Sequence, residues 1–233
     1  MPDLSPHAPF VSGDNLTVEG VPPIPLSLVN SLHHYTEFRA AAFADWHRVP
    51  CEMLIRTRFA ATIQVHSVTF PGGDRRQRTF SPDAVGAASF QPATGGCFVF
   101  SKDTGGNEFS QNYRYDLEDG EITLLTDGHS KNSHGLWSNG GDRMVYSSTR
   151  RTRKDVDLYT ICPTDPASDL LLTALEGGGW FVLDSSPDDT QLLVAEYVSI
   201  NESYLWLMEA AAGEKILLTP KGGAKVSYKL MLR

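Results

Sequence analysis

The chain has 233 residues, 20 Lys and Arg against 28 Asp and Glu for a formal charge of −8, and 41% hydrophobic, 21% charged and 10% aromatic residues. This composition excludes a disordered, collagen-like or coiled-coil chain, and the acidic balance has the wrong sign for gripping a nucleic-acid backbone. A chain of this length buries enough apolar surface to fold without disulfide or metal staples.

Residues 1–33 read as an extended N-terminal arm, because Pro2, Pro6, Pro9, Pro22, Pro23 and Pro25 punctuate a stretch with little periodicity. The arm opens with acidic and proline-rich residues where a signal peptide would have a basic segment and then an apolar one. No run approaches 18 apolar residues. A cytoplasmic location is therefore the default expectation, with neither membrane nor nucleic acid as partner.

Residues 34–233 repeat themselves. Arg78-Thr79, Leu125-Thr126, Leu172-Thr173 and Leu218-Thr219 end four units, with the threonines 47, 47 and 46 residues apart. The units span about 38–80, 81–126, 127–173 and 174–219, and 220–233 reads as the start of a fifth. Each contains an aromatic residue, a polar turn and a β-rich run: Trp46-His47 before Met53-Leu54-Ile55, Phe90-Gln91-Pro92 before Phe98 to Ser101, and Trp137 to Asp142 before Met144 to Ser148. In the fourth, Ser185 stands in the aromatic place ahead of Leu192 to Ala195. A second run follows in each, Gln64 to Val68, Asn112 to Asp116, Asp157 to Cys162 and Tyr204 to Met208, then a turn and a short strand into the Leu-Thr ending. Four short antiparallel strands per unit of roughly 40 to 50 residues, without helix, predict a β-propeller blade. The expected fold is all-β: about four four-stranded blades of a larger, seven- or eight-bladed propeller, forming an open arc.

The repeat wording resembles the propellers of the Tol system and of the prolyl oligopeptidase (dipeptidyl peptidase IV-like) family. Phe98-Val99-Phe100-Ser101-Lys102-Asp103-Thr104-Gly105-Gly106-Asn107-Glu108-Phe109, Tyr113-Arg114-Tyr115-Asp116-Leu117 and Glu196 to Trp206 are similar to the N-terminal propeller of that family's serine peptidases. The resemblance covers about residues 34–228. It implies a non-catalytic propeller section that gates peptide access to a C-terminal α/β-hydrolase domain. The alternative is a stand-alone propeller scaffold for a protein partner.

No catalytic residue is carried over. A nucleophile elbow needs G-x-S-x-G so that the serine can project from a strained turn, and Gly128-His129-Ser130-Lys131-Asn132 lacks the second glycine. The chain alone is thus expected to be no enzyme. Related propellers hold a substrate's amino terminus with glutamates near the inner mouth, which makes Glu196 and Glu202 the candidate substrate-facing residues. A structural role competes for both.

Other candidates read as structure. His33-His34 are adjacent, so their side chains would point apart on a strand, and no third metal ligand lies nearby. His129 and His134 bracket a polar loop, and Arg150, Arg151, Arg153 and Lys154 read as a solvated hairpin balanced by Asp155 and Asp157. Gly105-Gly106-Asn107-Glu108 and Gly177-Gly178-Gly179 read as turns, since neither opens a helix as a phosphate cradle must. Cys51, Cys97 and Cys162 lack ligand spacing and are expected as reduced thiols. No cofactor or metal is expected. In an open arc the apolar end faces of blades one and four should reach water and drive self-association.

Overall fold

A computed structural model describes residues 17, 19–22 and 24–221. The chain divides at residue 40 into two compact units. In the first, Leu26–Thr36 forms a helix, α1, with no buried residue. Residues 26–33 are therefore helical where the sequence reading had extended chain. The six prolines stop at Pro25, and the eleven residues after it contain neither Pro nor Gly, so nothing breaks the helical ladder. His33 and His34 sit in its last turn, near the partial negative charge of the helix C-terminus.

The second unit holds four four-stranded antiparallel sheets in meander order. Sheet 1 is β1 (Ala42–Trp46), β2 (Met53–Thr57), β3 (Gln64–Val68) and β4 (Arg76–Gln77). Sheet 2 is β5 (Val85–Phe90), β6 (Cys97–Lys102), β7 (Gln111–Asp116) and β8 (Ile122–Leu124). Sheet 3 is β9 (Leu136–Trp137), β10 (Met144–Ser148), β11 (Asp157–Cys162) and β12 (Asp165–Thr173). Sheet 4 is β13 (Trp180–Ser185), β14 (Gln191–Ser199), β15 (Glu202–Glu209) and β16 (Lys215–Leu217). They are the blades of an open β-propeller. The expected opening of a fifth blade, Gly222 to Tyr228, lies outside the described residues.

The second strand of each sheet works on both faces. In β6, Phe98 and Phe100 join Leu54 and Val65 of sheet 1, while Val99 joins Met144, Tyr146 and Tyr159 of sheet 3. In β14, Leu192 and Val194 meet Val145 and Leu158 of sheet 3. Side chains of such doubly covered strands run continuously apolar, and each fully buried Phe or Leu contributes roughly 1.5–3 kcal/mol.

The repeated threonine has a defined job. The Oγ1 atoms of Thr79, Thr126 and Thr219 accept the amide N–H of the residue fourteen places earlier, Val65, Asn112 and Leu205, at 2.9, 3.1 and 3.1 Å. This hydroxyl takes over from the outer strand as the third strand's hydrogen-bond partner. Thr173 differs because β12 runs on to pair it with Leu158 through its backbone.

The outward faces of the two end sheets are less bare than an open arc implies. On sheet 1, Ile55, Thr57, His66 and Val68 are at most 7% exposed. Phe59 of the adjoining loop stands edge-on to the His66 ring, and Arg75 lies over Phe59. Burial lowers the His66 pKa. Exposed apolar residues of these two sheets, such as Phe43, Phe181, Tyr197 and Ile216, flank buried centres.

Candidate binding surface

Neighbouring blades are fastened through the turns between their first and second strands. His47 Nε2 donates to the Gly95 carbonyl at 3.1 Å while its Nδ1 accepts from the Val49 amide, which fixes the tautomer. Gln91 Nε2 donates to the Gly141 carbonyl at 2.8 Å. Asn139 and Gly140 donate to the Asp189 carboxylate through both backbone amides and the Asn139 side chain. Gly95 and Gly141 have φ of 66° and 70°, and a Cβ on either would lie 1.9 Å from the His47 ring or 2.4 Å from Gln91 Nε2. Both places demand glycine twice over, for the backbone and for the approach.

Between blades two and three these turns frame a cavity of about 630 Å³. Cys97, Arg114, Asp116 and Glu118 line it from blade two; Trp137, Asp142, Cys162 and Pro163 line it from blade three. Arg114 is paired with Asp116 at 2.8 Å and reaches the Pro163 carbonyl at 3.5 Å. Burial pushes the Cys97 thiol up to about 11, so it stays neutral and weakly nucleophilic at physiological pH. Apolar walls with one paired cation and several carboxylates suit a polar segment with hydrogen-bond donors.

At the inner end of the same seam His134 Nε2 lies 2.9 Å from Ser89 Oγ, which also accepts from Trp137 Nε1 at 3.1 Å. The sequence reading placed His134 in a solvated loop; burial instead holds its pKa down to about 4. A serine beside a histidine invites a catalytic reading, but His134 Nδ1 has no partner among the described residues. A general base needs an orienting group there. Ser130 likewise lies in no elbow: it is buried and donates to Asp127 at 2.5 Å, and no helix follows it among the described residues.

Glu196 and Glu202 belong to the hairpin β14–β15. Glu196 accepts from Trp206 Nε1 at 2.9 Å and lies 3.6 Å from Lys221. Glu202 accepts from the Tyr204 hydroxyl at 2.5 Å. The two carboxylates are thus each engaged within blade four. Lys221 sits 5.0 Å above both the Tyr204 and Trp206 rings, and Lys215 lies over Trp180 and Trp206.

Part of the expected solvated basic hairpin is structural. Arg151 makes a two-bond fork at 2.8 and 2.9 Å on Asp157, a carboxylate with no solvent exposure, and also donates to the Leu175 carbonyl. Arg150 pairs with Asp169 at 2.5 Å and covers the Tyr159 ring at 4.1 Å. The Asp-x-Tyr wording showed neither pair, because the spacing alone does not say which carboxylate is buried. Gly105 and Gly106 occupy positive-φ turn positions, whereas Gly179 is needed where the Tyr197 carbonyl approaches to 1.8 Å of a would-be Cβ. Cys51, Cys97 and Cys162 are free thiols. No group of three or more His, Cys, Asp or Glu among the described residues could hold a metal. No helix among them is long and apolar enough to cross a membrane.

No protein-family model and no curated protein matches the sequence. Solved structures do resemble the fold. TolB from Acinetobacter baumannii is 20% identical at a TM-score of 0.60, over 80% of this chain and 44% of that one. A prolyl endopeptidase is 14% identical at 0.65, over 83% of this chain and 31% of that one. An oligogalacturonate lyase in complex with manganese is 12% identical at 0.62, over 82% and 56%. The chain therefore spans under two thirds of each.

Proposed function

We propose that this chain is the propeller section of a prolyl oligopeptidase-like serine peptidase, non-catalytic by itself, which restricts peptide access to a hydrolase domain carried elsewhere in the protein. The observation that carries this reading is where the peptidase-like wording falls. Tyr113 to Asp116 and Tyr204 to Trp206 occupy the third strands of blades two and four, β7 and β15. Phe98 to Lys102 supplies the doubly buried strand β6 between two seams. The likeness to a prolyl endopeptidase over 83% of this chain supports a propeller of that kind. Substrate selection in such an assembly is steric: a folded protein cannot pass a ring of packed sheets, whereas a short or unstructured peptide can.

The experiment is to read the genomic DNA downstream of Arg233. A continuing frame with further blades and a G-x-S-x-G is the expected result; a clean stop without such a remnant overturns it. On the purified chain, saturable peptide hydrolysis together with labelling by a serine-directed phosphonate would contradict the non-catalytic assignment. The TolB likeness favours the second reading, a scaffold that binds a protein segment across the turn face, where the cavity between blades two and three opens.

A further inference from the structure

The cavity between blades two and three has an uneven stock of hydrogen-bonding groups. Donors around it are committed within the protein: the Leu117 amide to the Gly96 carbonyl, the Glu118 amide to Asp116, the Gly141 amide to the Ser138 carbonyl and the Gln91 side chain to the Gly141 carbonyl. Arg114 is turned to Asp116 and the Pro163 carbonyl. Acceptors are left over. The exposed Glu118 carboxylate makes no hydrogen bond or ion pair among the described residues. Asp142 Oδ2 meets the Nε of exposed Arg143 at 3.3 Å. Three carboxylates against one guanidinium line this cavity, and a neighbouring one of about 410 Å³, in the seam between blades three and four, repeats the bias with Asp142, Asp189 and Glu209 against Arg143. A ligand that fits must bring donors and positive charge.

Trp137 offers that charge a seat. Its Nε1 donates to Ser89 Oγ, and its half-buried side chain lines both cavities. Elsewhere the chain covers its rings with its own cations: Lys102 lies over Tyr113, Arg150 over Tyr159, and Lys215 over Trp180 and Trp206. None of the cation contacts among the described residues falls on Trp137.

We propose that the cavity of about 630 Å³ binds an arginine side chain of an extended peptide segment, with the guanidinium drawn to the Trp137 ring and to the Glu118 and Asp142 carboxylates. A planar guanidinium both stacks on an aromatic ring and forks onto a carboxylate, whereas a lysine ammonium is a point charge that prefers its water. The volume suits a small ligand or one or two side chains, and the formal charge of −8 draws a basic segment in from a distance. This inference deepens the scaffold reading, on which it rests, by naming what the bound segment carries.

Calorimetric titration of the full 233-residue chain with blocked pentapeptides tests it, the central residue being arginine, citrulline, lysine or glutamate between leucines. The arginine peptide should bind with a Kd below about 1 mM. Citrulline, which keeps the shape and loses the charge, should bind about tenfold more weakly, and salt should weaken only the charged peptides. Glu118→Gln should weaken the arginine peptide about fivefold, leave the citrulline peptide unchanged and leave the melting temperature in place, since Glu118 is exposed. Glu121→Gln, on the same blade but off the cavity, should change nothing. Saturating arginine peptide should slow alkylation of Cys162, which lines the cavity, and not of exposed Cys51. Equal affinities for arginine and citrulline peptides would overturn this inference and leave the scaffold reading standing. Binding that ignores Glu118→Gln and leaves Cys162 unprotected would overturn it by placing the peptide elsewhere. No binding by any of the four at about 5 mM would overturn it and remove the cavity from the scaffold reading as well.

Discussion

The seams on the two sides of blade two are built from opposite faces of one strand, yet they differ in kind. Toward blade one, β6 presents Phe98 and Phe100, which stack on Tyr115 and Tyr113 at centroid distances of 4.7 and 5.3 Å. Toward blade three it presents Cys97 and Val99, and the turn end of that seam stays open as a cavity of about 630 Å³. Alternation alone assigns both faces to the interior. Side-chain volume then decides how much space each side keeps, about 340 Å³ beside Phe100, Tyr113 and Tyr115 against about 630 Å³ beside Cys97.

The largest expected effect is on the side where Phe98 and Phe100 stack on Tyr115 and Tyr113. Phe98→Ala removes a ring with no exposure and three aromatic neighbours, and should cost about 3–5 kcal/mol in urea unfolding. Cys97→Ala, one residue away but facing the cavity, should cost about 1 kcal/mol, because much of the space beside it is already empty. Equal losses would erase the distinction between the seams. Cys97 should also react with iodoacetamide at pH 8 far more slowly than exposed Cys51, since its thiol is pushed up to about 11; peptide mapping reads this directly.

The open seam should also be the acid-sensitive one. His134 titrates near 4 in the folded chain against 6.5 when free, so the unfolded chain binds the extra proton. Its contribution is complete above about pH 6.5, falls as pH drops through that value and levels off near 4, for a total of up to roughly 3 kcal/mol. Stability curves of His134→Gln should be flatter than wild type across that window. Identical curves would mean that the imidazole is hydrated in the folded state.

A smaller pair of substitutions separates threonines that look alike in sequence. Thr126→Val leaves the Asn112 amide without its hydroxyl acceptor and should cost about 1 kcal/mol. Thr173→Val, in a strand where the backbone already makes the pairing, should stay within about 0.5 kcal/mol.

The repeat made the blades legible because every unit must solve the same problem: reverse direction at a polar turn, bury a strand on both faces and end the outer strand. What varies between units was hidden. At the first position of the third strand, Gln64 holds the Ser81 and Asp83 carbonyls, Gln111 holds the Ser130 carbonyl and Gly128 amide, and Asp157 holds the Leu175 amide. All three tie a blade to the link leaving it, but the third replaces the glutamine of the first two with a carboxylate. Ser185, the misfit in the aromatic place, is 8% exposed and accepts from Asn139 of blade three. Glu196 and Glu202 were visible as carboxylates, while their tryptophan and tyrosine donors depend on the register of β14 and β15.

The turn contacts join each blade to the next, His47 to Gly95, Gln91 to Gly141 and Asn139 to Asp189. Such a chain of neighbours behaves as a one-dimensional array, whose cohesion is a sum of blade and seam contributions. Pulled by its ends in an optical trap, it should lengthen in a staircase, not in one leap. Each stair would release one repeat of 47 or 46 residues, about 160 Å of extended backbone. The seam bearing the cavity marks where a tear starting at one end would pause or run on, so the gap between blades two and three also sets the mechanical grain of the molecule.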